Sequence, residues 1–301
     1  SHRNPFFKPD YSPELLLCKN GIIHLMTIRK SIIEAMPKPG AEFDGSQDYN
    51  MALFCSSAAQ EVCHVPRVMY HWRISENSTA TNPDSKPYSL YSCRKAQATH
   101  FERQQIDASI VSSGIYLLHN PWFKAPASKV SVVVDIQPWL EGLDNGRGAA
   151  FDAIDQFLEF FLQNNSHDDL EILLVGHGVD SWRFGNHVRT LDSPMGVSHF
   201  SRLNIGASYA CGEYLIFLDA GCSFDTAEPI EQLLGLCSLE GVGVAAPKIL
   251  YRGGRNKMYG IAVTSERIMP LYRGYEDDFP GYQCNLRAFQ NVSACGVQGL
   301  T

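Results

Sequence analysis

The chain has no Cys-x-x-Cys pair, no excess of positive charge, no Gly-x-Gly-x-x-Gly after Val134, and no uninterrupted apolar run near the ~18 residues that span a bilayer. Without a paired-cysteine motif, the nine cysteines, an odd number, read as reduced and mostly buried thiols of a cytoplasmic protein. Cys63 beside His64 lacks a further pair at ligand-like spacing, so it is read as packing rather than metal binding. A net charge of -7 argues against nucleic acid as a partner and against broad adhesion to anionic lipid. Any phosphate-bearing ligand must then be held by a few local cations, helix N-termini or a metal. The missing glycine fingerprint disfavours a dinucleotide-dependent oxidoreductase. The lack of a spanning run, with a polar start at Ser1 to Asn4 that does not read as a secretion signal, leaves only peripheral work at the inner face of a membrane.

What is present is a globular composition, 301 residues with 45% hydrophobic content, enough for one large core or two modest ones. Apolar runs at Val130 to Val134, Leu170 to Val175, Tyr214 to Leu218 and Val242 to Ala246 read as strands of an α/β fold. Between the first two, Phe151, Ile154, Phe157, Leu158, Phe161 and Leu162 fall on one helical stripe. Pro229 to Leu239 gives a second amphipathic helix, with Asp225 or Thr226 as its cap. The alternation predicts a mostly parallel sheet covered by helices.

The part before this sheet reads differently. Ser46 is placed to cap a helix from Gln47 to Ala58, which puts Asp48 in the first turn, where the helix dipole and free amides favour a carboxylate. Glu61 to Arg73 reads as extended chain interrupted by Pro66, and Tyr88 to Gln105 as a closing helix. A composition shift at 121–128 marks a linker between residues 1–120 and 129–301.

Several segments resemble family 2 inverting glycosyltransferases of the GT-A fold, in particular the bacterial tandem type that builds cell-surface polysaccharide. The run RNPFFKPDYSPELLLCKN at 3–20, GSQDYN at 45–50 and VPRVMYHWR at 65–73 resembles the rear, acceptor-side half of one transferase module. Residues 129–301, with LNIGASYACGEYLIFLDAG at 203–221, resemble the front, nucleotide-side half of a second. The order is inverted relative to a single module. The chain is therefore a piece of a longer tandem transferase, one permuted domain whose halves share a core, or a degenerate scaffold beside an active neighbour.

The resemblance implies a sugar moved with inversion from a nucleotide diphosphate sugar to a glycan or lipid-linked acceptor. Such a displacement needs one base for the acceptor hydroxyl and a separate group for the departing diphosphate. By similarity, Asp48 is that base, beside Gln47, and His71, Trp72 and Arg73 match a donor-side motif: Arg73 for diphosphate oxygens, Trp72 for packing on sugar, His71 for a hydrogen bond. Each has a plainer role too: helix-start stabilisation for Asp48, core packing for Trp72, a structural imidazole for His71 and a surface ion pair for Arg73.

On the nucleotide side the resemblance points to Asp135, Gly178, Asp180 and Asn204, and to Asp219 for a divalent metal, Mn or Mg. Here the pattern departs from the family. Gly176-His177-Gly178 lacks the expected acid, and Asp219-Ala220-Gly221-Cys222 keeps one carboxylate where the family has a pair. One carboxylate makes a weaker cation site. Asn204 and Gly206 are read as helix-packing positions near the nucleotide cleft.

Overall fold

The structure is a computed structural model that describes residues 5–72, 87–142, 147–179, 187–219, 221–224 and 228–295. Two compact units divide the chain: Ser1–Phe123 with Tyr275–Ser293, and Lys124–Gly274 with Ala294–Thr301. The return of 275–293 to the first unit has no signature in the composition.

The first unit is mainly helical. Pro13 opens α1 (Pro13–Cys18), whose cap Ser12 accepts from the Leu15 amide at 3.3 Å, and the helix buries Leu15, Leu16, Leu17 and Cys18. After α2 (Lys30–Ala35), α3 (Gln47–Ala58) packs along α4 (Tyr88–Gln104), which stops where Gln105 turns left-handed at φ 57°. An antiparallel hairpin follows, β1 (Ala108–Ser112) with β2 (His119–Phe123), and the end of β2 occupies the start of the 121–128 segment read from sequence as a linker. Pro121 lies in β2 and is tolerated because a two-stranded ladder leaves an outer edge free. Polar side chains clasp these elements together. Gln97, fully buried on α4, donates from Nε2 to the carbonyls of Leu17 (2.6 Å) and His119 (3.2 Å), and the Tyr49 hydroxyl donates to the Leu16 carbonyl at 2.7 Å.

The expected cap of α3 works differently. Ser46 occupies the N-cap position, but its hydroxyl donates to the Ser89 carbonyl at 3.2 Å and so ties the start of α3 to α4. From Glu61 to Trp72 the chain has neither helix nor ladder, and it exposes Val65, Val68, Met69, Tyr70 and Trp72.

The second unit is an α/β layer structure. Its strands and helices run β3 (Val130–Asp135), α5 (Gln137–Gly142), α6 (Arg147–Gln163), β4 (Leu170–Gly176), β5 (Val188–Asp192), α7 (His199–Tyr209), β6 (Tyr214–Asp219) and α8 (Pro229–Cys237). Short pairs close it: β7 (Ile249–Leu250) with β8 (Asn256–Met258), and β9 (Ile261–Val263) with β10 (Ile268–Pro270). The four main strands form a parallel sheet of order β5-β4-β3-β6. Val130, Val132, Val134, Ile172 and Leu174 point to one face and meet Ile154, Phe157, Leu158 and Phe161 of α6 and Ile230 and Leu234 of α8. Val133, Leu173 and Val175 point to the other and meet Leu203 of α7. A sheet buried on both faces reads as continuous aliphatic sequence, which is why these strands are visible in it. The architecture is compatible with a Rossmann-like fold.

Several sequence expectations fail for physical reasons. Val242 to Ala246 is not a strand: Gly241 sits at φ 86°, Pro247 follows, and Val244 is 74% exposed. Leu162 leaves the α6 stripe and faces solvent. The caps proposed at Asp225 and Thr226 lie outside the described residues, and Glu228 holds the N-cap position of α8. The cysteines are free, but only Cys18, Cys55 and Cys93 are buried, and Cys63 is exposed, its thiol donating to Glu61 at 3.3 Å rather than packing.

Candidate functional site

In the sheet the chain passes outward from β3 to β4 to β5, then returns to the opposite side of β3 as β6. In open α/β sheets ligands bind outside the carboxyl ends of strands where the winding reverses. Here that point lies between β3 and β6. Both strands end in an acid, and Asp135 and Asp219 are register partners.

The two acids are treated very differently. Asp135 is 1% exposed and fully engaged: Oδ2 meets His199 Nδ1 at 2.7 Å, and Oδ1 accepts from Arg202 Nε at 2.7 Å and from the Gln137 amide at 3.0 Å. His199 and Arg202 come from the first turn of α7, three positions apart and so on one face, behind Ser198, which caps the helix by accepting from the Ser201 amide. Arg202 also donates to the Val197 carbonyl, which fixes its guanidinium across the helix start. Such a pair is net favourable only when its hydrogen bonds are satisfied, as those of Asp135 are.

Asp219 has a buried Oδ2 with no hydrogen-bond partner among the described residues. Burial pushes its pKa up, the negative charge of Asp135 pushes the same way, and His199 and Lys257 of β8 oppose the rise. His199 Nε2 is likewise buried and without a partner among the described residues. An imidazole held through Nδ1 by one carboxylate, with Nε2 open and a second carboxylate within electrostatic reach, is oriented to hydrogen-bond an incoming ligand.

The loops after β4 and β5 extend this edge. The Gly178 amide, at φ 70°, donates to Asp192 at 2.6 Å. His177 Nδ1 lies 2.9 Å from the Ser193 carbonyl, and its amide donates to Gln137 at 2.7 Å. Asn204 does not join the cluster; it is exposed on α7. Gly206, on the same helix, is a packing position: a Cβ there would stand 2.2 Å from Val133 Cγ1. Asp180 lies outside the described residues. His199 and Arg202 were not singled out from sequence. The signal for them was a basic pair in the first turn behind a serine cap, where basic residues are disfavoured by the helix dipole and so need another reason to be there.

As a metal site the donor set falls short. A divalent cation of the hard type takes six or so oxygen ligands. Asp219 offers one carboxylate, Asp135 is already occupied by Arg202 and His199, and no three His, Cys, Asp or Glu side chains converge among the described residues.

In the first unit, Asp48 lies in the first turn of α3, half-buried, with Oδ1 accepting from the Tyr49 amide at 2.9 Å. Its charge is felt by the buried Cys93 thiol of α4, which burial first and Asp48 second push up to about 12. Gln47 is locked against the preceding turn: its Nε2 donates to Asp44 at 3.1 Å and its Oε1 accepts from the Gly45 amide at 3.0 Å. His71 and Trp72 are exposed, and the Trp72 ring packs edge-on to His24 at 4.7 Å. Arg73 lies outside the described residues. No helix among the described residues is long and apolar enough to cross a membrane.

The chain is similar to the uncharacterized protein y4gI of Sinorhizobium fredii, 24% identical over 307 residues that cover 96% of this chain and 32% of that protein. It is also similar to the O-antigen biosynthesis protein RfbC of Myxococcus xanthus, 24% identical over 275 residues that cover 87% of this chain and 20% of RfbC. The chain thus spans about a third and a fifth of the length of these relatives. No protein-family model and no solved structure matches it.

Proposed function

We propose that the chain is part of a GT-A glycosyltransferase that moves a sugar, with inversion, from a nucleotide diphosphate sugar to a glycan or lipid-linked acceptor during surface polysaccharide synthesis at the cytoplasmic face of a membrane. The observation that carries this reading is the Asp135–Asp219 register pair at the winding reversal, with His199 and Arg202 gathered on it. The similarity to a protein named for O-antigen biosynthesis supports it. In this reading residues 129–301 are the nucleotide-side half of one module and residues 1–120 the acceptor-side half of another, and the counterpart halves lie in the rest of a longer polypeptide.

The chemistry follows from the residues. In each module the acceptor oxygen bonds to the anomeric carbon as the carbon–oxygen bond to the diphosphate breaks, and in the module whose acceptor side holds Asp48 that carboxylate takes the acceptor proton. In the other module, on the nucleotide side, His199 Nε2 hydrogen-bonds the ligand, Lys257 supplies positive charge, Asp135 holds His199 in place, and Asp219 accepts from ligand hydroxyls.

The test is a panel of nucleoside diphosphates and nucleotide sugars titrated by thermal shift and calorimetry, with and without manganese. A ligand at a hundredfold its Kd stabilises the folded chain by about 2.7 kcal/mol. Asp219→Asn removes most of that response. In the full-length protein, Asp48→Ala lowers transfer by about 10²- to 10⁴-fold with donor binding retained. A flat response to every nucleotide overturns the reading. It would leave the second one, a degenerate transferase-like scaffold, which the complete occupation of Asp135 by its own neighbours favours.

A further inference from the structure

The first unit contains a cleft that neither Asp48 nor the 65–73 segment lines. Its volume is about 520 Å³, in the size range of small-ligand sites, and its walls are the turn ahead of α3 and the first turn of α4. Glu42, Asp44 and Gln47 line one side, Tyr88 and Tyr91 the other.

The cleft is held in shape. Gly45, at φ 85°, sits under the Tyr88 ring, and a Cβ there would stand 2.8 Å from Tyr88 Cε2, so only glycine admits the ring at this turn. Asp44 and Gln47 are locked together by the hydrogen bonds described above, and Ser46 fastens the turn to Ser89 on α4. Tyr88 and Tyr91 are one helical turn apart and share a face of α4, and both rings are exposed, Tyr91 at 66%.

A pair of exposed aromatic faces opposite a carboxylate and carboxamide rim matches one ligand chemistry well. A pyranose ring presents weakly positive C–H groups on its faces, which sit on the negative face of an aromatic ring, and hydroxyls at its edge, which donate to carboxylates. The rim is acidic. Two carboxylates line it, and no Lys, Arg or His among the described residues does. An anionic ligand would meet uncompensated repulsion there, whereas an ammonium group would be attracted.

We infer that this cleft is a carbohydrate-binding site that takes neutral or amino sugars and rejects uronic acids. Tyr88 and Tyr91 are its stacking platform, and Glu42 and Asp44 set the charge preference. The inference does not depend on the proposed transferase activity, since binding here requires neither a nucleotide nor Asp48.

The experiment uses the whole chain and three probes, the methyl glycosides of a hexose, a 2-amino-2-deoxyhexose and a hexuronic acid, followed by saturation-transfer NMR and by chemical shifts of the tyrosine rings. The hexose and the amino sugar bind and perturb Tyr88 and Tyr91, while the uronic acid leaves them unmoved. Tyr91→Ala weakens binding about fivefold to tenfold with an unchanged melting curve, because the ring is exposed. The double variant Glu42→Gln, Asp44→Asn admits the uronic acid and loses the preference for the amino sugar. Uronic acid bound by the native chain as well as the hexose, unaltered affinity in Tyr91→Ala, or no glycoside binding at all would each overturn the inference. A flat nucleotide response with glycoside binding intact would leave it standing and count only against the transferase reading.

Discussion

The two units place their polar groups in opposite ways. In the second, the interior of the sheet is aliphatic from Val132 to Val134 and Ile172 to Leu174, and its ionisable side chains gather at strand ends, Asp135 and Asp219 at one and Glu171 at the other, where Ser131, the Cys211 amide and Arg189 hold it. In the first, Gln97, His100, His119 and Tyr49 are buried within the fold, and two of them bind backbone carbonyls to join elements. The difference teaches that one unit is held by its apolar layers and gathers its polar groups at the ends of its strands, whereas the other uses polar groups as internal fasteners.

Site-resolved hydrogen exchange on the whole chain tests that contrast. The largest effect belongs to Asp135→Ala, which strands the part-buried Arg202 without its partner and costs about 3–5 kcal/mol. Protection falls in β3, β4 and β6 and holds in α4; a uniform loss throughout the chain would break the contrast. Gln97→Ala comes next. It frees the carbonyls of Leu17 and His119 and opens a buried gap, for about 2–3 kcal/mol, read as lost protection in α1, α4 and the β1–β2 hairpin with the parallel sheet unmoved.

Acidification sharpens the contrast through opposite signs. Burial first, and Arg103 second, lower the His100 pKa from 6.5 to about 4, and burial also lowers that of His119. The unfolded chain therefore takes up protons in this window before the folded one does, so the first unit loses stability as pH falls from 6.5 to about 4. Asp219 behaves the other way. Its folded pKa is raised, so its contribution is present at low pH and is lost as pH climbs through that raised value. Melting curves between these limits, with His100→Gln flattening the acid-side loss, measure the first effect. The smallest effect is at Asp219 itself: Asp219→Asn relieves the burial of a charge and raises the melting temperature at neutral pH by about 1–2 °C while nucleotide response is lost. A fall in melting temperature would show that its charge is compensated in the folded state.

Legibility in the sequence follows the same division. Three strands of the parallel sheet, β3, β4 and β6, were visible as continuous aliphatic runs, and α6 and α8 as periodic apolar stripes. The helix at Gln47–Ala58 was visible from its polar start, although Ser46 turned out to fasten α3 to α4 rather than to cap it. The β1–β2 hairpin was hidden by Pro121, and β5 by its short mixed run from Val188 to Asp192, which lies at the sheet edge and needs no apolar pattern. Of the residues at the end of the sheet, Asp135 and Asp219 could be placed from sequence because strand ends are predictable. His199 and Arg202 were not, because only the packing of α7 on β3 brings them to Asp135. The tyrosine cleft left no sequence motif, since its walls meet across some forty residues of chain.

The seam at Gly206 has a reach beyond its own contact. Because nothing larger than hydrogen fits between that position and Val133, the clearance there acts as a spacer gauge for the whole of α7, and His199, about two turns nearer the N-terminus, inherits its setting. A methyl group added at this purely apolar junction would push α7 away from β3, so a change in packing would register at the far end of the helix as a lengthened contact between His199 and Asp135.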